Sequence, residues 1–228
     1  MSRSQSVEDY LKAIYKLEAA LEGKGVPTSK LAKEMGVSNA SVTNMVKRLS
    51  ELGMVTYESY YGSKLTDAGR KIALEMNRHH RLLELYLTEM LGYSWDEVHE
   101  EAEKLEHHIS EQFEDTISEL LNHPEFDPHG DPIPTKEGLM PKLGLKPLTA
   151  VEVNRTYEVK RVKNQRPDFL RYLDNYNLTP GAKLVLKNRE PFDGPLTVTV
   201  GEKEITLGFK IAKDILVAQE ESSHPAEE

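Results

Sequence analysis

Residues 28–58 read TSKLAKEMGVSNASVTNMVKRLSELGMVTYE. Leu31, Ala32 and Met35 share one face of a short predicted helix from Thr28 to Met35, which Gly36 stops. Asn39 to Leu52 predicts a second helix with Val42, Met45, Val46 and Leu49 inward, ended by Gly53. In the connecting G-V-S, Gly36 permits a left-handed backbone. Val37 is expected to plug the space between the helices, and Ser38 or Asn39 to cap the second one. Residues 54–65 follow, containing VTYESYYGSKL, rich in Tyr and Val with Gly62 near a turn, which predicts a hairpin. Helix, glycine turn, helix and wing in this order predict a winged helix-turn-helix. The competing reading is a helical hairpin with a solvated polar face.

The second helix presents Asn39, Ser41, Thr43, Asn44 and Lys47, short polar side chains able to reach base edges plus a cation for phosphate. Thr28, Ser38, Ala40, Arg48 and, near the wing tip, Lys64 complete the candidate DNA-contacting set. Charge agrees locally. Residues 1–71 hold 11 Lys/Arg against 8 Asp/Glu, although the whole chain of 228 residues carries a formal charge of −9. The other 157 residues hold 18 against 30.

Working outward, Val7, Leu11, Ile14, Tyr15 and Leu17 predict an opening helix capped by Ser6, with Asp9 in its first turn. Long helices are expected from Thr66 to Leu91 and from Asp96 to Leu121. Six of the 12 prolines fall within residues 123–149, which predicts a largely extended tether. Beyond it the periodicity drops toward two. Strands are expected at 151–162, 183–186, 196–200 and 205–206, with a short helix at 168–176, which together suggest a small β-barrel. The expected division is a DNA-binding domain at 1–71, a helical domain at 72–122, the tether at 123–149, a β domain at 150–219 and a disordered tail at 220–228. The fold class is therefore α+β. No apolar run is long enough for a transmembrane helix, and the N-terminus lacks a signal-peptide pattern.

Zero cysteines exclude thiol catalysis, a disulfide scaffold and any sulfur-built metal site. Metal ligands must then be carboxylates or imidazoles. Residues 96–119, DEVHEEAEKLEHHISEQFEDTISE, hold ten Asp/Glu and one Lys. As one helix they would align Val98, Ala102, Leu105, Ile109 and Phe113 in an apolar stripe, with His99, Glu103, Glu106 and His107 along its edge. Such groups are costly at a packed edge without a cation or partner. His80 and Glu84 form an i,i+4 pair on the preceding helix. Carboxylates and imidazoles without sulfur suit Mn²⁺ or Fe²⁺. The plainer alternatives are a solvated acidic face and an ordinary surface helix pair. An enzyme is disfavoured: the nearest approach to H-E-x-x-H, at 99–103, ends in Glu, and neither a phosphate loop nor a nucleophile elbow is present.

SVEDYLKAIYKLE, SNASVTNMVKRL, LTDAGR, RHHRLLELYL, VHEEAEKLEHHIS and HGDPIP together resemble the diphtheria toxin repressor family of metal-dependent transcriptional repressors. The resemblance is close over the first 135 residues, and the remainder is similar to the SH3-like, FeoA-type domain of longer members. It implies a winged helix-turn-helix, a helical metal-binding and dimerisation domain, and a small SH3-like β-barrel. It also implies a primary site of Asp9, Glu103, Glu106 and His107, and a second site of His80, Glu84 and His99 with help from Asp168 or, more weakly, Gln165. Carboxylates at positions 9 and 103, where the iron-responsive branch has Met and Cys, match manganese-responsive members. Lys12 departs from a short manganese-responsive branch that carries a further Glu ligand there. Asp127 and His129 resemble a C-P-H-G segment that supplies secondary ligands in longer members; a tether turn without metal is the alternative.

The resulting expectation is a cytoplasmic homodimer, not membrane-bound. Mn²⁺ would activate it to bind a palindromic double-stranded operator and repress manganese uptake genes. Leu105, Ile109, Phe113, Ile117 and Leu120 are the candidate dimer face. Zn²⁺ is expected to bind in vitro, since manganese lies low in the affinity order. The alternatives are an Fe²⁺-responsive repressor of the same family, a winged-helix sensor of an organic ligand, and a metal-dependent enzyme.

Overall fold

The structure is a computed structural model that describes residues 4–22, 24–58, 61–141 and 143–220. The expected tail, apart from Glu220, lies outside the described residues, as do Ser59 and Tyr60 of the wing. Among the described residues no helix is long and apolar enough to cross a membrane. The chain divides into two compact units. One takes in the chain up to Leu83, Glu103–Asn122 and Ile133–Met140, and the other Glu84–Ala102, His123–Pro132 and the chain from Pro141 on.

In the first unit, α1 (Gln5–Ala20) lays Val7, Leu11 and Ile14 on a core built by α2 (Thr28–Met35) and α3 (Asn39–Glu51). Leu31, Val42, Val46 and Leu49 fill that core, closed by Val55 and Leu65 of the hairpin β1 (Val55–Glu58) and β2 (Gly62–Leu65). Gly36 takes the left-handed conformation that ends α2, at φ 65°. Ser38 then caps α3 by accepting from the Ser41 N–H at 3.2 Å. Two local expectations fail. Val37 does not plug the helix pair; it is 42% exposed, because Leu31 and Val42 already fill that space. Ser6 lies inside α1, whose N-cap is Ser4.

Long α4 (Asp67–Leu91) forms as expected. The acidic stretch is not one helix but two, α5 (Val98–Leu105) and α6 (Glu111–Leu120). Ser110 starts α6 by accepting from the Phe113 N–H, and 106–109 become a turn. The single apolar stripe inferred for 98–113 is thereby interrupted. On α6, Ile117 is buried inside the protomer while Phe113 and Leu120 are exposed.

The second unit holds an antiparallel sheet of β3 (Lys146–Pro147), β4 (Arg155–Val162), β5 (Lys183–Arg189), β6 (Leu196–Val200), β7 (Lys203–Leu207) and β8 (Ile215–Gln219). Its order is β3-β8-β4-β5-β6-β7. This corrects the expected SH3-like barrel: the sheet is open. Closure would need β3 to pair with β7, but β3 is two residues long and one of them is a proline without an N–H donor. Tyr157, Val159, Leu184, Leu186, Val198 and Ile215 form the core with Leu170 and Leu173 of α7 (Pro167–Asp174). A short helix α8 (Phe209–Asp214) and β8 were not foreseen in the sequence.

Part of the segment expected to be a tether is packed, while 135–137, 139 and 141 are exposed. Asp127 and residues 129–134 are buried. Asp127 Oδ1 accepts from the N–H groups of His129 and Asp131, both at 2.8 Å. Gly130, at φ +82°, lies so close to β4 that a Cβ there would sit 1.9 Å from the Lys160 carbonyl oxygen. Asp131 pairs with Arg161 of β4 and accepts from Gln165 Nε2 at 2.6 Å, strapping the turn to the sheet.

Candidate metal centre

In the first unit, α1 and the turn after α5 bring Asp9, Glu106 and His107 together. One ligand atom from each lies within 4.8 Å of the others. His107 Nε2 is 2.9 Å from Asp9 Oδ1 and 3.5 Å from Glu106 Oε1. Its Nδ1 is 2.8 Å from Glu8 Oε2. A carboxylate can only accept, so Glu8 takes the Nδ1 proton and Nε2, facing Asp9 and Glu106, is the nitrogen that can serve as a metal ligand. Among the described residues this buried Nε2 has no hydrogen-bond donor serving it. A ring nitrogen held between two carboxylate oxygens is a donor set that a cation completes, so the residues fit a divalent metal.

Glu106 has the more crowded environment. Its side chain is fully buried. Both of its oxygens accept from Lys12 Nζ at 2.7 Å, and His80 Nδ1 lies 2.5 Å from Oε2. Burial alone would raise its carboxyl, but the His80 and Lys12 contacts overcome this and hold it below the usual range. Asp9 is shifted upward by burial and by Glu106 and Glu103, against His107. Glu103, half exposed, stands 3.6 Å from the Lys12 ammonium.

Three supports escaped the sequence reading. Glu8 fixes His107, and only its place beside Asp9 in a first helical turn hinted at it. His79, next to the anticipated His80, lies 3.2 Å from the Glu106 carbonyl and 3.1 Å from Glu114. Arg78 joins it on Glu114 and donates to the Pro134 carbonyl at 2.9 Å. Third, the far end of α1 reaches the wing. Buried Glu18 accepts from the Leu65 N–H of β2 and from Arg70 of α4, both at 2.8 Å. Thus α1 carries Asp9 near one end and contacts the β1–β2 hairpin near the other.

The second unit holds a separate cluster. Glu84, Asp127 and His129 are all buried and offer ligand atoms within 4.8 Å of one another. His99 Nδ1 is 2.9 Å from Glu84 Oε1. Burial would lower the His129 imidazole, but Glu84 and Asp127 overcome it and raise it to about 9. His129 Nε2 donates to the Trp95 carbonyl at 2.7 Å. Asp168 is elsewhere: exposed at the start of α7, it accepts from Arg166 at 2.6 Å. Gln165 spends its amide on Asp131. Neither joins Glu84, Asp127 and His129. His80 faces Glu106 in the first unit.

Of the residues expected to contact DNA, Asn39, Ala40, Ser41, Asn44, Lys47 and Arg48 of α3 are exposed, as is Lys64 of β2. Thr28 and Thr43 are half-buried, and the Thr43 hydroxyl donates to the Asn39 carbonyl at 2.8 Å.

Residues 3–63 match the family model described as iron dependent repressor, N-terminal DNA binding domain. Residues 66–135 match iron dependent repressor, metal binding and dimerisation domain, and 146–219 match the FeoA domain. The iron-dependent repressor IdeR of Mycobacterium tuberculosis is 30% identical over 224 residues, covering 93% of this chain and 96% of the relative. This chain belongs to the iron-dependent repressor family, that of the diphtheria toxin repressor and IdeR. Solved structures similar to it include manganese-responsive members. A manganese-dependent transcriptional repressor in complex with manganese is 37% identical, with a TM-score of 0.82, covering 93% of this chain and 99% of that one. A crystal structure of ScaR with bound Zn²⁺ is 33% identical, with a TM-score of 0.76, covering 93% and 98%. As a member of the iron-dependent repressor family the chain is a metal-dependent, DNA-binding homodimeric repressor, not an enzyme, and its His/Glu clusters are capable of holding divalent cations.

Proposed function

We propose that Mn²⁺ is the activating ion, held by Asp9, Glu106 and His107 with Glu103 beside them, and that the loaded cytoplasmic dimer represses manganese uptake genes at a palindromic operator. The observation that carries this reading is the buried Nε2 of His107 between two carboxylate oxygens, in a chain with no sulfur ligand but methionine. An oxygen-rich set with one imidazole suits manganese better than a thiolate-seeking ion. The likeness to a manganese-dependent repressor solved in complex with manganese supports it. Fe²⁺ is the second reading, favoured by the full-length likeness to IdeR.

Asp9, Glu103 and Glu106 gather negative charge where α1 meets the turn after α5. Two unit charges about 4 Å apart repel by roughly 4 kcal/mol at an effective dielectric near 20. A bound divalent cation supplies the charge that reverses this repulsion. Asp9 then draws its end of α1 toward Glu106 and His107, and Glu18 transmits the position of α1 to β2 and the DNA-reading helix. Asn39, Ser41, Asn44 and Lys47 meet base edges and phosphate, and Phe113 and Leu120 contribute to the dimer contact. The Glu84–Asp127–His129 cluster, with His99, holds a second ion that stabilises the other unit. Coupling of about 1–3 kcal/mol is typical of such linkage, and it is reciprocal.

The test is equilibrium dialysis against Mn²⁺, Fe²⁺ and Zn²⁺, combined with selection of bound duplexes from a random-sequence pool. Mn²⁺ recovers a palindrome, and the recovered duplex tightens Mn²⁺ binding by the same factor that Mn²⁺ tightens DNA binding. Identical Mn²⁺ affinity with and without that duplex overturns the reading.

A further inference from the structure

Lys12 places its ammonium among the candidate ligands of the first unit. It lies one helical turn after Asp9, so the same face of α1 brings an anion and a cation to the turn after α5. Its Nζ donates to both oxygens of Glu106, whose side chain is fully buried, and lies 3.6 Å from Glu103 Oε2 and 3.4 Å from His80 Nδ1. Two donations to one carboxylate at 2.7 Å go beyond an incidental surface pair, because the Lys12 side chain is itself only 18% exposed. A buried carboxylate without a partner is strongly destabilising. Here the partner is permanently attached to the chain.

We propose that Lys12 is a tethered cation of the centre, neutralising Glu106 in metal-free protein, keeping α1 seated there, and setting the Mn²⁺ concentration at which the centre fills. This rests on the reading that Asp9, Glu106 and His107 bind the ion. With Lys12, the three carboxylates Asp9, Glu103 and Glu106 carry a net charge that one divalent ion cancels. Without it, one further negative charge draws the ion in, and in metal-free protein buried Glu106 keeps the His80 contact but loses its ammonium partner. Losing the lysine thus tightens the ion and weakens the empty state together. Metal loading in the native chain adjusts an α1 that is already docked rather than recruiting a free one.

The experiment titrates full-length wild type, Lys12→Gln, Lys12→Met and Lys12→Arg with Mn²⁺, following free aqueous Mn²⁺ by electron paramagnetic resonance. Thermal melts of the metal-free proteins are recorded by circular dichroism. Lys12→Gln and Lys12→Met bind Mn²⁺ at least about tenfold more tightly than wild type, and melt earlier without metal. Lys12→Arg, which keeps the charge, stays close to wild type in affinity. Unchanged or weaker binding by Lys12→Gln and Lys12→Met overturns the inference, as does Lys12→Arg binding as tightly as they do. If neither neutral variant folds without metal, both are folded in Mn²⁺ and its release to a competing chelator is followed; release as easy as from wild type overturns the inference. Asp9→Asn separates the two levels. If it leaves wild-type Mn²⁺ binding intact, the reading of the centre fails. If it removes one of the Mn²⁺ ions bound per chain while neutralising Lys12 changes nothing, only the role of Lys12 fails.

Discussion

Replacing Glu8 tests whether His107 is an oriented ligand. The Glu8 and His107 side chains are 11% and 2% exposed, and their contact is 2.8 Å. A hydrogen bond to a charged group so sheltered contributes about 1.5–3 kcal/mol. Removing a partner that orients a metal-ligating histidine costs about 10–100-fold in affinity, which is the same energy range. Glu8→Gln retains an acceptor for the Nδ1 proton but loses the charge, so it lies near the lower end, about tenfold. Glu8→Ala loses both and frees the ring to rotate, so it lies near the upper end. Titration with Mn²⁺ gives the affinity, and fluorescence anisotropy with the selected duplex gives the operator response. Both variants need more Mn²⁺ for half-maximal DNA binding, yet saturate at the same DNA affinity, because Glu8 holds the ligand and not the DNA. Wild-type Mn²⁺ affinity in Glu8→Ala would refute the reasoning.

Glu114 ties pH to stability. Burial would raise its carboxyl, but His79 and Arg78 hold it at about 2, against 4.5 for the free group. That depression stabilises the fold fully above pH ~4.5 and is lost as pH falls toward ~2, an upper bound of about 3 kcal/mol. Urea melts of Glu114→Gln therefore lie below wild type at pH ~7, with the gap closing between pH ~5 and pH ~2.5; a gap independent of pH would contradict this. Gly130→Ala places a methyl group against the Lys160 carbonyl at positive φ and lowers stability by more than about 2 kcal/mol, so an unchanged urea midpoint would disprove the close approach. Phe113→Glu combined with Leu120→Glu yields a monomer in sedimentation equilibrium at micromolar concentration, whereas Ile117→Ala lowers the melting temperature and leaves a dimer. A dimeric double variant would remove α6 from the interface.

Much of the N-terminal half is legible in the sequence. The first helices, the glycine turn and the wing follow from apolar spacing and from Gly36, since each helix there has a face and an end written in adjacent residues. Asp9, Glu106 and His107, three of the four residues that the resemblance implied for a primary site, come together, and Glu103 is not among them. What escapes is set by distant parts of the chain. The break at Ser110 is hidden because 96–119 has an acceptable helical stripe throughout, and a serine cap decides between one helix and two only when Glu106 has somewhere to turn. The open sheet escapes because strand count does not determine closure; the shortness of β3 does. The burial of 129–134 runs against the usual meaning of proline, because Asp127 satisfies the turn's own N–H groups and Arg161 waits on a strand about thirty residues further along. Asp168 looks well placed by sequence, but Arg166, two residues away, engages its carboxylate.

Glu18 gives α1 a fulcrum. Asp9 lies nine residues from it, an arm of about 13.5 Å at about 1.5 Å per residue. Zinc–oxygen and calcium–oxygen bonds differ by about 0.3 Å, and that difference at the end of such an arm is a tilt of roughly one degree. Ionic radius would thus become a pointing error at the duplex, compounded across two symmetric half-sites. A cation can then win the competition for the pocket and still leave the pair of readers out of register, so fidelity to one element would lie in the response and not in the occupancy.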